Sequence, residues 1–159
     1  MTLSTLGTIH IAAALIAMVL GLSVYPAAKG TPFHRAIGAG YLVGMVTLNI
    51  TAIGLYRLTG QVNAFHVLAL ISLASVIAGL WPLVTRKPGW MTAHLRLIIG
   101  SHSGLWAAAM AETISRLPVA QSFFDSPQNI IGSSLVIVVV FFVVAVVVNR
   151  RMAWVNHTA

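Results

Sequence analysis

The sequence predicts an all-α integral membrane protein: a bundle of five transmembrane helices, four of them forming a duplicated helical hairpin. Three observations predict it. Of 159 residues, 58% are hydrophobic and 7% charged, and the mean hydropathy is +0.95; in soluble domains about a quarter of residues are charged. Apolar runs long enough to cross a bilayer recur between short loops marked by proline, glycine and cations. One pattern also occurs twice. His10 is followed by fourteen mostly apolar residues, Tyr25 and Pro26, and His66 by fourteen mostly apolar residues, Trp81 and Pro82.

The first run covers residues 4–25 and has no Lys or Arg before it. It therefore lacks the charged leader of a cleaved signal peptide and reads as a retained helix. Pro26 ends it, and Ala27-Ala28-Lys29-Gly30 makes the turn. Thr31 is placed to cap the second helix with Pro32 at its first position. That span continues to about Arg57 and carries Gly40 and Gly44 at the spacing of closely packed membrane helices.

The third span runs from about Asn63 to Val84, and Arg86-Lys87-Pro88-Gly89 breaks the chain again. Thr92 is expected to cap the fourth span, which reaches Leu117-Pro118. The segment Thr92-Ala93-His94-Leu95-Arg96 repeats Thr31-Pro32-Phe33-His34-Arg35 with the histidine displaced by one place. Residues 1–118 thus form a four-helix duplicated core, followed by an external loop at 119–130. The fifth helix, 131–151, is almost pure Val, Ile and Phe before Asn149-Arg150-Arg151, which suits a peripheral anchor. Residues 152–159 form a tail, and His157 within it is assigned no role.

A formal charge of +7 would suit nucleic acid only if the cations clustered on one face. The nine Lys and Arg are instead scattered between apolar runs, so no nucleic-acid partner is expected. Alternate loops collect Lys29, Arg35, Arg86, Lys87, Arg96, Arg150 and Arg151 on one side against Arg57 and Arg116 on the other. The positive-inside tendency then puts the N-terminus outside and the C-terminus in the cytoplasm. With no cysteine there are no disulfides, thiolate metal sites or haem attached through Cys-x-x-Cys-His.

This orientation gives each histidine a depth. His10 and His66 each precede their proline by sixteen residues, so both lie about 24 Å above the cytoplasmic helix ends, near the outer boundary. Glu112 stands twenty residues beyond Thr92 and returns to that outer level. His34 and His94 lie in first turns near the inner boundary, with His102 two turns further along the fourth helix. Two hairpins starting on the same side form a parallel repeat about an axis along the membrane normal, which lets equivalent residues face one another.

The segment His34-Arg35-Ala36-Ile37-Gly38, the leading His10 and His66, and the stretch from Glu112 to Arg116 resemble the bacterial membrane proteins of domain of unknown function 2306. The resemblance covers roughly residues 4–118. It implies a multi-pass protein of the bacterial inner membrane with recurrent intramembrane histidines, and brings no established activity with it. Histidines alternating on four successive helices are also similar in layout to cytochrome b561-type two-haem bundles. That likeness is one of arrangement alone and does not establish function.

Three function classes follow. In the first, histidines are axial ligands of haem b in a transmembrane electron carrier, served by a quinone or another redox partner. His10 with His66 would hold an outer haem, and His34 with His94 or His102 an inner one. In the second, His10, His66 and Glu112 form a divalent metal or proton site, since two imidazoles and a carboxylate suit Zn or non-haem Fe. In the third, the chain is a passive assembly subunit without cofactor. The bland alternative for His34 and His94 is interfacial anchoring beside arginines, and for Glu112 a helical pair with Arg116. Ionisable groups inside spans are costly, which favours a functional role for His10 and His66. The bilayer is the expected partner in every case, and a homo-oligomer is compatible with each. Nucleophile elbows, phosphate loops and zinc-protease motifs are absent, so hydrolase or nucleotide chemistry has no support.

Overall fold

The computed structural model describes residues 4–55 and 64–115, together with residues 117, 139 and 143. Four helices run in order: α1 (Thr5–Val24), α2 (Pro32–Gly54), α3 (Ala64–Thr85) and α4 (Trp90–Ser115). Of these, α1, α2 and the His66–Thr85 part of α3 are long and apolar enough to cross a membrane. Their outward side chains are large and apolar, among them Val19, Val43, Ile71, Trp81 and Val84. Such surfaces are unfavourable in water but match a hydrocarbon solvent. The 26 residues of α4 are long enough to span, yet His94, Arg96, His102 and Glu112 keep it out of that apolar set. The expected fifth span lies outside the described residues except Val139 and Val143, which are helical and exposed.

The first helix starts at an N-cap, Ser4, whose side chain accepts from the Gly7 N–H at 3.2 Å. It stops at Val24, one residue before Tyr25-Pro26. The Lys29 ammonium then donates to the Val24 and Tyr25 carbonyls at 2.7 and 2.9 Å. A cation there satisfies orphan acceptors and opposes the negative end of the helix dipole. As the sequence predicts, Thr31 caps α2 by accepting from the His34 N–H at 3.2 Å, with Pro32 first in the helix.

The second hairpin departs from the first in two places. Pro26 lies beyond α1, but Pro82 lies inside α3. Moreover, α4 begins at Trp90, not after Thr92. Gly89 holds the capping position: its carbonyl accepts from Ala93 N–H at 3.1 Å, as Thr31 accepts from Arg35 N–H at 3.0 Å. The early start has a local cause. Arg86 adopts a left-handed φ of 51° that closes α3, and its guanidinium sits 4.6 Å from the Trp90 ring centre. Counted from their caps, His34 and His94 are therefore two residues out of step, about 200° around a helix.

The chain divides into two compact units, residues 1–76 and 77–159. In the first, α1 and α2 are antiparallel, since Leu6 lies against Gly54, Ala17 against Gly44 and Leu20 against Gly40. Ala13, Ala17 and Gly21 form the buried row of α1. A Cβ on Gly44 would stand 3.1 Å from the Ala17 Cβ and 3.3 Å from its backbone nitrogen, so the two backbones approach as the Gly40–Gly44 spacing predicts. Asn49 then ties α2 to α3, donating to Ser72 Oγ at 3.2 Å and to the Met45 carbonyl at 2.8 Å. In the second unit the end of α3 is antiparallel to the start of α4. A Cβ on Gly79 would lie 2.8 Å from Ile98 Cδ1 and 3.4 Å from Leu97 Cβ.

Candidate functional site

In the first unit the site is built around His10. The half-buried imidazole of this α1 residue meets Thr51 of α2, with Nδ1 3.1 Å from Thr51 Oγ1. The Thr51 hydroxyl is itself 2.8 Å from the Thr47 carbonyl and 2.9 Å from the Leu48 carbonyl. Carbonyls only accept, so the single hydroxyl proton points to them and the oxygen lone pairs face His10. His10 Nδ1–H is therefore the donor. A neutral ring in that tautomer carries its lone pair on Nε2.

His66 stands in the first turn of α3 and is 5% exposed, with Nε2 shielded from solvent. The Asn49–Ser72 bond gives the register of α3 against α2 and, through Thr51, against His10. By that register the level of His10 corresponds to about residue 70 of α3, which sets His66 roughly one turn, or about 6 Å, further out. The Pro26 and Pro82 spacings do not carry this offset, because only Pro26 marks a helix end. His34 is the third residue of α2, with Nδ1 shielded from solvent.

The second unit holds His94, His102 and Glu112. His94 Nδ1 lies 2.7 Å from the Gly79 carbonyl. An acceptor of that kind again makes Nδ1–H the donor and leaves the lone pair on Nε2. One feature of α3 permits this bond: Gly79 lets α4 approach closely.

His102 differs. It is 4% exposed, and the Trp106 indole N–H donates to its Nε2 at 3.2 Å, with the rings edge-to-face. Indole nitrogen only donates, so this Nε2 lone pair is already engaged. Of the two inner candidates, His102 has Nε2 engaged by Trp106, whereas the hydrogen bond of His94 is made through Nδ1. Trp106→Phe removes the donor while keeping most of the ring, and is expected to cost about 1–3 kcal/mol by leaving a buried acceptor. Thermal unfolding in detergent measures it.

Glu112 is half-buried on α4; its expected partner Arg116 lies outside the described residues. Among the described residues, no group of three or more His, Asp or Glu side chains gathers closely enough for a metal ion. His10 and His66 belong to the first unit and Glu112 to the second, as do His34 and His94 or His102 respectively.

A family model described as a predicted membrane protein (DUF2306) matches residues 7–154. The chain belongs to that family. No curated protein and no solved structure matches. DUF2306 membership extends past the four helices on which the resemblance rests and takes in the apolar run at 131–148. It agrees with the three apolar spans and leaves the activity open.

Sequence reading passed over several residues that shape this DUF2306 site. Thr51, Asn49 and Ser72 are polar groups within apolar spans, which is itself a signal of a partner or a function. Trp106 follows His102 by four residues, the spacing at which helical side chains meet.

Proposed function

We propose that the chain is a multi-pass inner-membrane electron carrier that holds haem b near the outer surface, with His10 and His66 as axial ligands. One observation carries this reading: His10 Nδ1 lies 3.1 Å from a Thr51 hydroxyl already turned to two carbonyls, an arrangement that makes Nδ1–H the donor and leaves Nε2 for a ligand. Ligating histidines characteristically donate their second ring nitrogen in this way, which fixes the tautomer and the ring direction. His94 has the same arrangement through the Gly79 carbonyl and is the ligand candidate of the second unit. Bound haem supplies one-electron chemistry, and a quinol or another redox partner would deliver the electron. The chain contributes two imidazoles, their orientation and an apolar surround that excludes water.

The decisive measurement is a reduced-minus-oxidised spectrum of protein purified from haem-replete cells. A haem b difference spectrum is expected. Absence of a Soret band refutes the carrier reading; elemental analysis then separates a metal-binding protein from the cofactor-free assembly subunit.

The same reading includes the orientation and the parallel repeat. The seven-to-two division of cations supports a cytoplasmic C-terminus. A periplasm-active reporter fused after Arg151 should be silent, and one inserted within residues 119–130 should be active. The reverse pattern would invert every depth assigned to the histidines.

A further inference from the structure

We infer that Thr51 is a positioning residue, one whose hydroxyl selects the His10 tautomer and aims Nε2 at a ligand. The inference rests on the haem reading for its purpose, but the tautomer itself does not need haem. Its basis is the inventory of protons at one oxygen. Thr51 Oγ1 has three polar neighbours: two carbonyls of its own helix at 2.8 and 2.9 Å and His10 Nδ1 at 3.1 Å. If the hydroxyl turned its proton to His10, its lone pairs would face two carbonyl lone pairs in a site where Thr51 is buried. Pointing the proton to the backbone removes that repulsion and makes Oγ1 an acceptor toward α1.

The bond also joins two helices. His10 lies on α1, five residues from the start, and Thr51 on α2, three residues from the end. The close α1–α2 approach at Gly44 and Ala17 brings the two side chains within reach. An imidazole whose Nδ1–H is engaged is a stronger donor at Nε2, which favours ferric over ferrous haem and lowers the midpoint potential.

The test compares wild type, Thr51→Val and Thr51→Ser. Valine keeps the shape and removes the acceptor; serine restores it. In 15N-histidine NMR spectra of haem-free protein, wild type and Thr51→Ser should show His10 protonated at Nδ1, assigned by its loss in His10→Ala. Thr51→Val should move that proton toward Nε2. In haem-loaded protein, Thr51→Val should weaken haem retention about 10- to 100-fold and raise the midpoint potential, with serine returning both toward wild type. A purely structural role would lower the unfolding temperature without moving tautomer or potential. The inference is overturned by an unchanged His10 tautomer in Thr51→Val. Haem-free wild type from haem-replete cells would instead overturn the ligand reading, with the NMR result still deciding the role of Thr51.

Discussion

His10→Ala and His66→Ala should each remove one haem per chain, and the double variant should lose no more than either alone. A six-coordinate bis-imidazole site needs both ligands, so loss of either breaks the same site and the effects are not additive. Any haem held by the second unit should remain in these variants and respond to His94→Ala. His102→Ala should leave haem content unchanged, because Trp106 occupies its Nε2 in the native protein. His157→Ala, in the polar tail, is the neutral control. Haem per chain by pyridine haemochromogen assay reads all six variants. Full haem content in the His10→Ala, His66→Ala double variant would rule out the outer site.

The second large effect concerns the hairpin that carries His10. Gly44→Leu should abolish stable α1–α2 packing, and Gly44→Ala should cost about 1–3 kcal/mol through overpacking. The reason is the kind of atom a new Cβ would meet. At Gly44 it meets the Ala17 Cβ and backbone nitrogen and, at 3.4 Å, the Ala13 carbonyl oxygen, none of which can rotate aside. At Gly40 it meets only the end of the Leu20 side chain, so Gly40→Ala should cost less than Gly44→Ala. Gly38 has nothing within 4 Å, and Gly38→Ala should be neutral or gain up to about 1 kcal/mol of helix propensity. Unfolding in mixed detergent should rank the variants in that order. Equal stability of Gly44→Ala and Gly38→Ala would contradict the close approach.

The helices were legible because their cause is local. Runs of about twenty apolar residues bounded by proline, glycine and lysine predict α1 to α3, and Thr31-Pro32 marks the α2 cap to the residue. The start of α4 was less so. Thr92 repeats the spacing of Thr31, but left-handed Arg86 and its stacking on Trp90 begin the helix earlier. No sequence period encodes that turn. The histidines stand out in the sequence as ionisable groups in apolar spans, whereas their hydrogen-bond partners depend on cross-helix register. Thr51 reaches His10 only because Gly44 and Ala17 bring α1 and α2 together. The distinction between His94 and His102 is a matter of which ring nitrogen is engaged, and spacing alone carries no information on that.

The small-residue seam between α1 and α2 also bears on biogenesis. Its contacts join two helices separated by only residues 25–31, so closing them costs little chain entropy. The hairpin can therefore dock while α3 is still being synthesised, and it closes over its own backbone without waiting for a later partner. Thr51, three residues from the end of α2, emerges late in that hairpin. The His10 ring is thus among the late contacts to lock, followed by Leu6 against Gly54, and a translation-arrest force profile should show a pull once α2 has cleared the ribosome and before α4 appears.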